Sequence, residues 1–255
     1  MTEPHHAGRN LRRSAGLLRS ILMYYGVPWR NYALARFYGR FVGPGDLCFD
    51  IGAHVGNRLW ALSRLGASIV ALEPQPDCMR LLRRWYGHHA NIELVERAAG
   101  AAPGTRTLFL RERTPTVTTL SRDWMAAVQR TPGFAGVRWD RDIPVRVTTL
   151  DELIARHGTP TFCKIDVEGA ELDVLRGLSY PLEVLSFEYI PAAIEAAVSC
   201  VGRLGELGRY EYNWSPGEQS RFQASAWLGP ARMTDILRRM PVDGQSGDVY
   251  ARRLR

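Results

Sequence analysis

The sequence predicts an α/β chain built on a doubly wound, mostly parallel sheet with helices on both faces. Three observations carry that prediction. Strand and helix textures alternate from about Asp46 to Ile190, apolar runs such as Ile69–Leu72 suit strands buried on both faces, and a glycine turn, Gly52 to Gly56, joins a strand to a helix. With 255 residues and 45% hydrophobic content, the chain suits one such domain and is short for two.

Residues 1–42 read as an arginine-rich helical arm and residues 43–255 as the main domain. In the arm, Leu, Tyr and Phe recur among arginines at helical spacing on either side of a Gly26-Val27-Pro28 turn, which gives two amphipathic helices. They are expected to cover the domain, closing over a cofactor or forming a homodimer contact; a membrane-touching role is the alternative. A βαβ unit follows: a strand ending at Asp50, a helix carrying Leu59, Leu62 and Leu65 and stopped by Gly66, then a strand closed by Glu73. A second round has a helix over 76–86 and a strand over 92–98. Residues 105–148 are less regular and read as a lid or substrate-shaping insertion between strands at 105–110 and 145–148. Thr149-Leu150-Asp151-Glu152 is a capping box opening a short helix to His157. Strands at 161–166 and 184–189 flank a helix at 170–176. The tail supplies helices near 192–207 and 231–239 and strands near 210–214 and 248–252, the last two as an antiparallel edge pair.

The formal charge of +7 is concentrated in the arm, where seven arginines (Arg9, Arg12, Arg13, Arg19, Arg30, Arg36, Arg40) face one acid, Glu3. The rest is nearly balanced, so no nucleic-acid partner is expected. Cys48, Cys78, Cys163 and Cys200 show no CxxC spacing and are expected as free thiols in a reducing cytoplasm. The apolar stretch Leu17–Tyr25 contains Arg19 and lacks a cleavage site, which argues against a signal peptide or a membrane span.

In Asp50-Ile51-Gly52-Ala53-His54-Val55-Gly56 the glycines let backbone turn sharply and approach a ligand. A dinucleotide loop uses three glycines and bare helix N–H groups for a pyrophosphate. Here a carboxylate, Asp50, closes the strand and a third glycine is missing. A carboxylate repels pyrophosphate and suits a cationic ligand, so S-adenosylmethionine is favoured over a nicotinamide dinucleotide. Glu73 is placed to accept two ribose hydroxyls. Asp50, Gly52, His54, Gly56, Asn57, Glu73 and Pro74 are the candidate cofactor-binding residues, with His54 either touching the ligand or only lining the loop.

A second constellation lies in Lys164-Ile165-Asp166-Val167-Glu168-Gly169-Ala170-Glu171. Lys164, Asp166 and Glu168 fall at period two where a buried strand ends, so they share a face if the strand continues, and unpaired charges there must pair or meet a cleft. Lys164 is the only lysine of the chain; either a compact ammonium is needed at that point or it neutralises Asp166 or Glu168.

Phe49–Gly56 (FDIGAHVG), Glu73-Pro74, Thr149–Leu153 (TLDEL), Lys164–Glu171 (KIDVEGAE), Val174–Gly177 and Ser246–Arg252 (SGDVYAR) together resemble the FkbM family of methyltransferases over about residues 45–252. The resemblance implies a Rossmann-like class I methyltransferase fold with a seven-stranded sheet, S-adenosylmethionine as methyl donor, and a hydroxyl of a sugar or secondary metabolite as acceptor. It carries cofactor roles onto Asp50, Gly52, Gly56 and Glu73.

Methyl transfer to oxygen requires a hydroxyl proton to be removed, and Asp166 is the first candidate base, with Lys164, Glu168 and Glu188 beside it as further candidate catalytic residues. No metal is required, although Asp166 and Glu188 could hold Mg²⁺. Trp124, Phe134 and Trp139, with Trp214 and Trp227 from the tail, either shape the acceptor pocket or belong to the core. A nicotinamide-dependent oxidoreductase and a non-catalytic module of a biosynthetic complex are the alternative readings.

Overall fold

A computed structural model describes residues 4–111, 114–131 and 136–254, with side chains from residue 15 onward apart from Pro28 and Pro115. Phe134, open between acceptor pocket and core in the sequence, lies outside the described residues.

The arm forms α1 (Pro4–Tyr25) and α2 (Pro28–Tyr38), broken at the predicted corner because Pro28 starts the second helix where its missing N–H costs nothing. The main sheet is built from β1 (Leu47–Ile51), β2 (Ser68–Leu72), β3 (Ile92–Val95), β7 (Phe162–Ile165), β8 (Val184–Tyr189), β9 (Tyr210–Pro216) and β10 (Gly247–Arg253). Their order is β3-β2-β1-β7-β8-β10-β9. All neighbours pair in parallel except at β10, which runs antiparallel to both β8 and β9. The expected antiparallel edge pair is present, with β9 as the outer strand and β10 inserted inside it.

The expected strand over 92–98 is split. β3 ends at Val95, and β4 (Ala98–Ala99) joins a separate three-stranded sheet with β5 (Gly104–Leu110) and β6 (Arg141–Thr148), in the order β4-β6-β5. Between β5 and β6 lies α5 (Arg122–Val128), capped by the Ser121 hydroxyl, which accepts from Trp124 N. The stretch that looked irregular is therefore a small sheet with a helix between two of its strands.

Helices pack on both faces, and strand period decides which residues meet them. One face gives Phe49, Ile51, Cys163, Ile165, Phe187 and Val249 to a core with α6 (Leu150–His157), α7 (Glu171–Arg176), α8 (Ile194–Leu207) and α9 (Pro230–Arg238). The opposite face gives Cys48, Ile69, Ala71, Phe162 and Tyr250 to a core with α2, α3 (Asn57–Arg64) and α4 (Pro76–Tyr86). On this second face the pattern turns polar toward the strand ends: Asp50 lies opposite Lys164, Lys164 opposite Ser186, and Asp248 opposite Glu188. Thr149 and Glu152 close the predicted capping box on α6. All four cysteines are free and buried, which pushes the Cys48 thiol up to about 12. Among the described residues, no helix is long and apolar enough to cross a membrane.

Candidate active site

The loop after β1 turns at Gly52 (φ 90°), His54 (φ 48°) and Gly56 (φ 82°), all in the left-handed region. The need for glycine at position 52 is set by protein. A Cβ there would lie 1.8 Å from the Asp166 carbonyl oxygen, so the loop and the end of β7 meet backbone to backbone. Gly56 sits behind the loop, where a Cβ would come 2.8 Å from both Leu82 and Tyr86 of α4. Both glycines also clear neighbouring elements, a constraint that the sequence reading did not include.

Glu73 braces the same loop. Its Oε2 accepts from His54 N and its Oε1 from Gln75 N, each at 2.8 Å. Burial raises its carboxyl to about 7 despite those two bonds. Each oxygen keeps a free lone pair for a ligand hydroxyl. Asp50, 1% exposed, is likewise raised to about 7 by burial, against the opposing pull of Arg58 and Lys164. Its Oδ2 is buried without a hydrogen-bond partner among the described residues, as is His54 Nε2. Burial lowers His54 to about 4, so the ring is neutral near pH 7.

Asp50, Gly52, His54, Asn57, Glu73 and Pro74 line one cleft, together with Gln75 and Arg97. Threonines of the insertion, Thr116, Thr118 and Thr119, close another side. A second cavity adjoins it. Asp166, Glu168, Arg58, Tyr24 and Thr116 line both, and Glu188, Glu218, Asp243 and Asp248 line the second.

At the seam lies Lys164, fully buried, with Nζ 3.1 Å from Asp166 Oδ2 and 2.8 Å from Asp248 Oδ1. Of the two sequence readings, neutralisation is the one its contacts satisfy, and Asp248 is a partner the sequence did not suggest. Arg58 adds a second cation, 3.9 Å from Asp166 and 3.3 Å from Glu218, with Tyr24 of α1 below its guanidinium. Burial alone would raise Asp166, but Lys164 and Arg58 overcome it and hold the carboxyl below its ordinary range. The expected period-two face fails after Ile165, where the strand ends. Glu168 reaches the cluster through a left-handed turn (φ 54°) instead, and Glu171 stabilises that turn by accepting from Val167 N and Gly169 N.

Asp166, Glu168 and Glu188 can bring one carboxylate oxygen each within 4.8 Å of the others. Burial and mutual repulsion raise Glu168 and Glu188. The tryptophans, open between acceptor pocket and core in the sequence, make packing contacts. Trp124 is buried with Val117 and Val128, Trp139 donates to Val117 O at 2.8 Å, Trp214 packs on the main core, and Trp227 packs on Phe41 and Phe222. Trp124 and Trp139 pack together because the insertion has to bury its own helix.

Residues 50–198 match the methyltransferase FkbM domain, more than half of the chain. The chain belongs to the FkbM methyltransferase family. Its fold is the Rossmann-like class I methyltransferase fold, and it is an S-adenosylmethionine-dependent methyltransferase. The nicotinamide alternative falls with that membership. No curated protein matches the chain.

Solved structures similar to this family member include a putative O-methyltransferase from Klebsiella pneumoniae, 9% identical, with 94% of this chain and 90% of that one covered and a TM-score of 0.48. A TehB-like S-adenosylmethionine-dependent methyltransferase from Corynebacterium glutamicum is 9% identical over 99% and 100% of the two chains, TM-score 0.47. Aeropyrum pernix fibrillarin with bound S-adenosylmethionine is 14% identical over 88% and 76%, TM-score 0.47.

The first cleft fits the family's cofactor chemically. It offers a buried carboxylate oxygen without a partner at Asp50, a second carboxylate with spare lone pairs at Glu73, and an unpartnered ring nitrogen at His54.

Proposed function

We propose that this methyltransferase acts on a hydroxyl oxygen of a sugar or another small polyhydroxylated metabolite, with Asp166 as the general base. The observation that carries this reading is the position of Asp166, which lines both cavities while Lys164 and Arg58 keep it ionised.

When bound, S-adenosylmethionine supplies an electrophilic methyl group on a sulfonium. Asp50, His54 and Glu73 would hold it, with carboxylates suited to its cationic and hydroxyl-bearing parts. On the other side of the seam, Asp166 accepts the hydroxyl proton as the oxygen attacks, and Glu168 or Glu188 orients neighbouring hydroxyls of the acceptor. The carboxylates of Glu218 and Asp243, which line the second cavity, disfavour a phosphate-rich acceptor, which supports a small neutral molecule over nucleic acid.

The test is calorimetric titration with S-adenosylmethionine, followed by labelled-methyl transfer to a panel of neutral glycosides, amines and RNA. Transfer to a hydroxyl, with Asp166→Asn losing about 10²–10⁴ in turnover at unchanged cofactor affinity, is expected. Methyl groups found on nitrogen, carbon or RNA would overturn the hydroxyl assignment. Full turnover by Asp166→Asn would remove the base.

A further inference from the structure

Helix α1 is apolar on two sides. Toward the domain it turns half-buried Leu17, Ile21, Tyr24 and Tyr25, together with Ser20 at 2% exposure. Away from the domain, Leu18, Leu22 and Met23 stand 55%, 61% and 46% exposed. The spacing of those three places them on one stripe. A helix that only covers a domain keeps its polar residues outside, and here a serine is inside while leucines face out.

Past exposed Gly26, Trp29 and Tyr32 of α2 are also 72% and 56% exposed. Five of the eight large hydrophobic residues exposed among the described residues thus fall within fifteen positions, Leu18 to Tyr32. Arg19, Arg30 and Arg36 stand exposed on the same helices, and the Arg64 guanidinium lies 5.7 Å from the Tyr32 ring. Neither helix contains an acidic residue.

We propose that the outer face of the α1–α2 pair docks on an anionic lipid surface. The excess of arginine calls for a negative partner, which disfavours a second copy of this chain, since a two-fold contact would set arginines against arginines. Nucleic acid would use the guanidinium groups and leave the leucines in water. A lipid interface takes both: apolar side chains enter the acyl boundary, Trp and Tyr sit at headgroup level, and arginines meet the anionic headgroups. Because no described helix can span a bilayer, the contact lies in the plane of the surface. Leu22 and Met23 face outward one step before Tyr24 lines both cavities, so docking and the active site share a single helical turn.

The experiment is sedimentation of the full chain with phosphatidylcholine vesicles with and without phosphatidylserine. Binding is expected with phosphatidylserine only and is weakened by salt. In Leu22→Glu/Met23→Glu it falls about tenfold or more, at unchanged cofactor affinity, because an apolar face is replaced by charge of the wrong sign. Arg19→Gln/Arg30→Gln, which keeps the apolar stripe, also binds more weakly. No sedimentation of the parent, or equal sedimentation of the glutamate variant, overturns the proposal. So does a parent dimer that the glutamate variant renders monomeric, which would assign the face to a second copy, and so does capture of polyglutamate with vesicles ignored, which would assign it to an acidic protein.

Discussion

Gly52 and Asp166 touch through their backbones, with a Cβ on Gly52 falling 1.8 Å from the Asp166 carbonyl oxygen. This contact locks the loop that leaves β1 to the turn that leaves β7, so the two adjoining cavities share one joint. Gly52→Ala meets both the overlap and a φ of 90°. It should cost about 2–4 kcal/mol of stability. Denaturant unfolding measures this, and a variant as stable as the parent would show that the two backbones part easily.

Lys164 is the common partner of Asp166 and Asp248. Lys164→Met leaves buried Asp248 and half-buried Asp166 without their common cation and should destabilise by about 3–5 kcal/mol. Adding Asp248→Asn should recover part of that loss, and a double-mutant cycle reads the coupling. Strict additivity of the two substitutions would mean that the ion pair carries no energy.

The chain without cofactor should lose stability as pH rises from about 5 to 7. Asp50, Glu73 and Glu171 are each raised to about 7, chiefly by burial, so the folded state binds protons there that the unfolded state has released. His54, lowered to about 4 by burial, acts in the opposite sense over part of that window, but it is one group against three. Each kcal/mol lost lowers Tm by about 2–4 °C for a chain of this size. Thermal melts at a series of pH values test the sign. Saturating S-adenosylmethionine should flatten the slope, because a cationic ligand beside Asp50 favours its ionised form.

Dialysis against EDTA should leave turnover intact. Asp166 already has Lys164 and Arg58 as counter-charges, while burial and neighbouring carboxylates push Glu168 and Glu188 above the usual carboxylate range, which makes them poorer cation ligands. A loss of turnover that Mg²⁺ restores would instead make Asp166, Glu168 and Glu188 a metal site.

Much of the fold was legible because buried parallel strands write continuous apolar runs, as in Ile69–Leu72, and because Thr149 and Glu152 cap locally. The cleft-lining residues around Asp50 and Glu73 were legible for the same reason: both close strands, and strand ends gather at one edge of the sheet. Arg58, Tyr24 and Asp248 were not. Arg58 looked like one more arginine on a helix, although its place directly after Asn57 was a usable signal. Tyr24 enters by tertiary packing of α1. Asp248 stands in the SGDVYAR segment that marks the family, but nothing local links it to a lysine 84 positions earlier. Glu168 was placed on the right cluster by the wrong route, because period two cannot foresee where a strand stops. The tryptophans were left between pocket and core because a large aromatic has the same sequence signature in a pocket wall and in a core.

The insertion of β10 between β8 and β9 also sets a timetable. Lys164 leaves the ribosome 84 residues ahead of Asp248. At about 5–20 residues per second that interval is about 4–17 s. Throughout it the lysine lacks its nearer carboxylate, and once β9 has emerged the nascent sheet holds a gap where β10 belongs. The stretch between β8 and β10 is therefore when the growing chain is most exposed to mispairing, and chaperone contacts on stalled nascent chains should concentrate there.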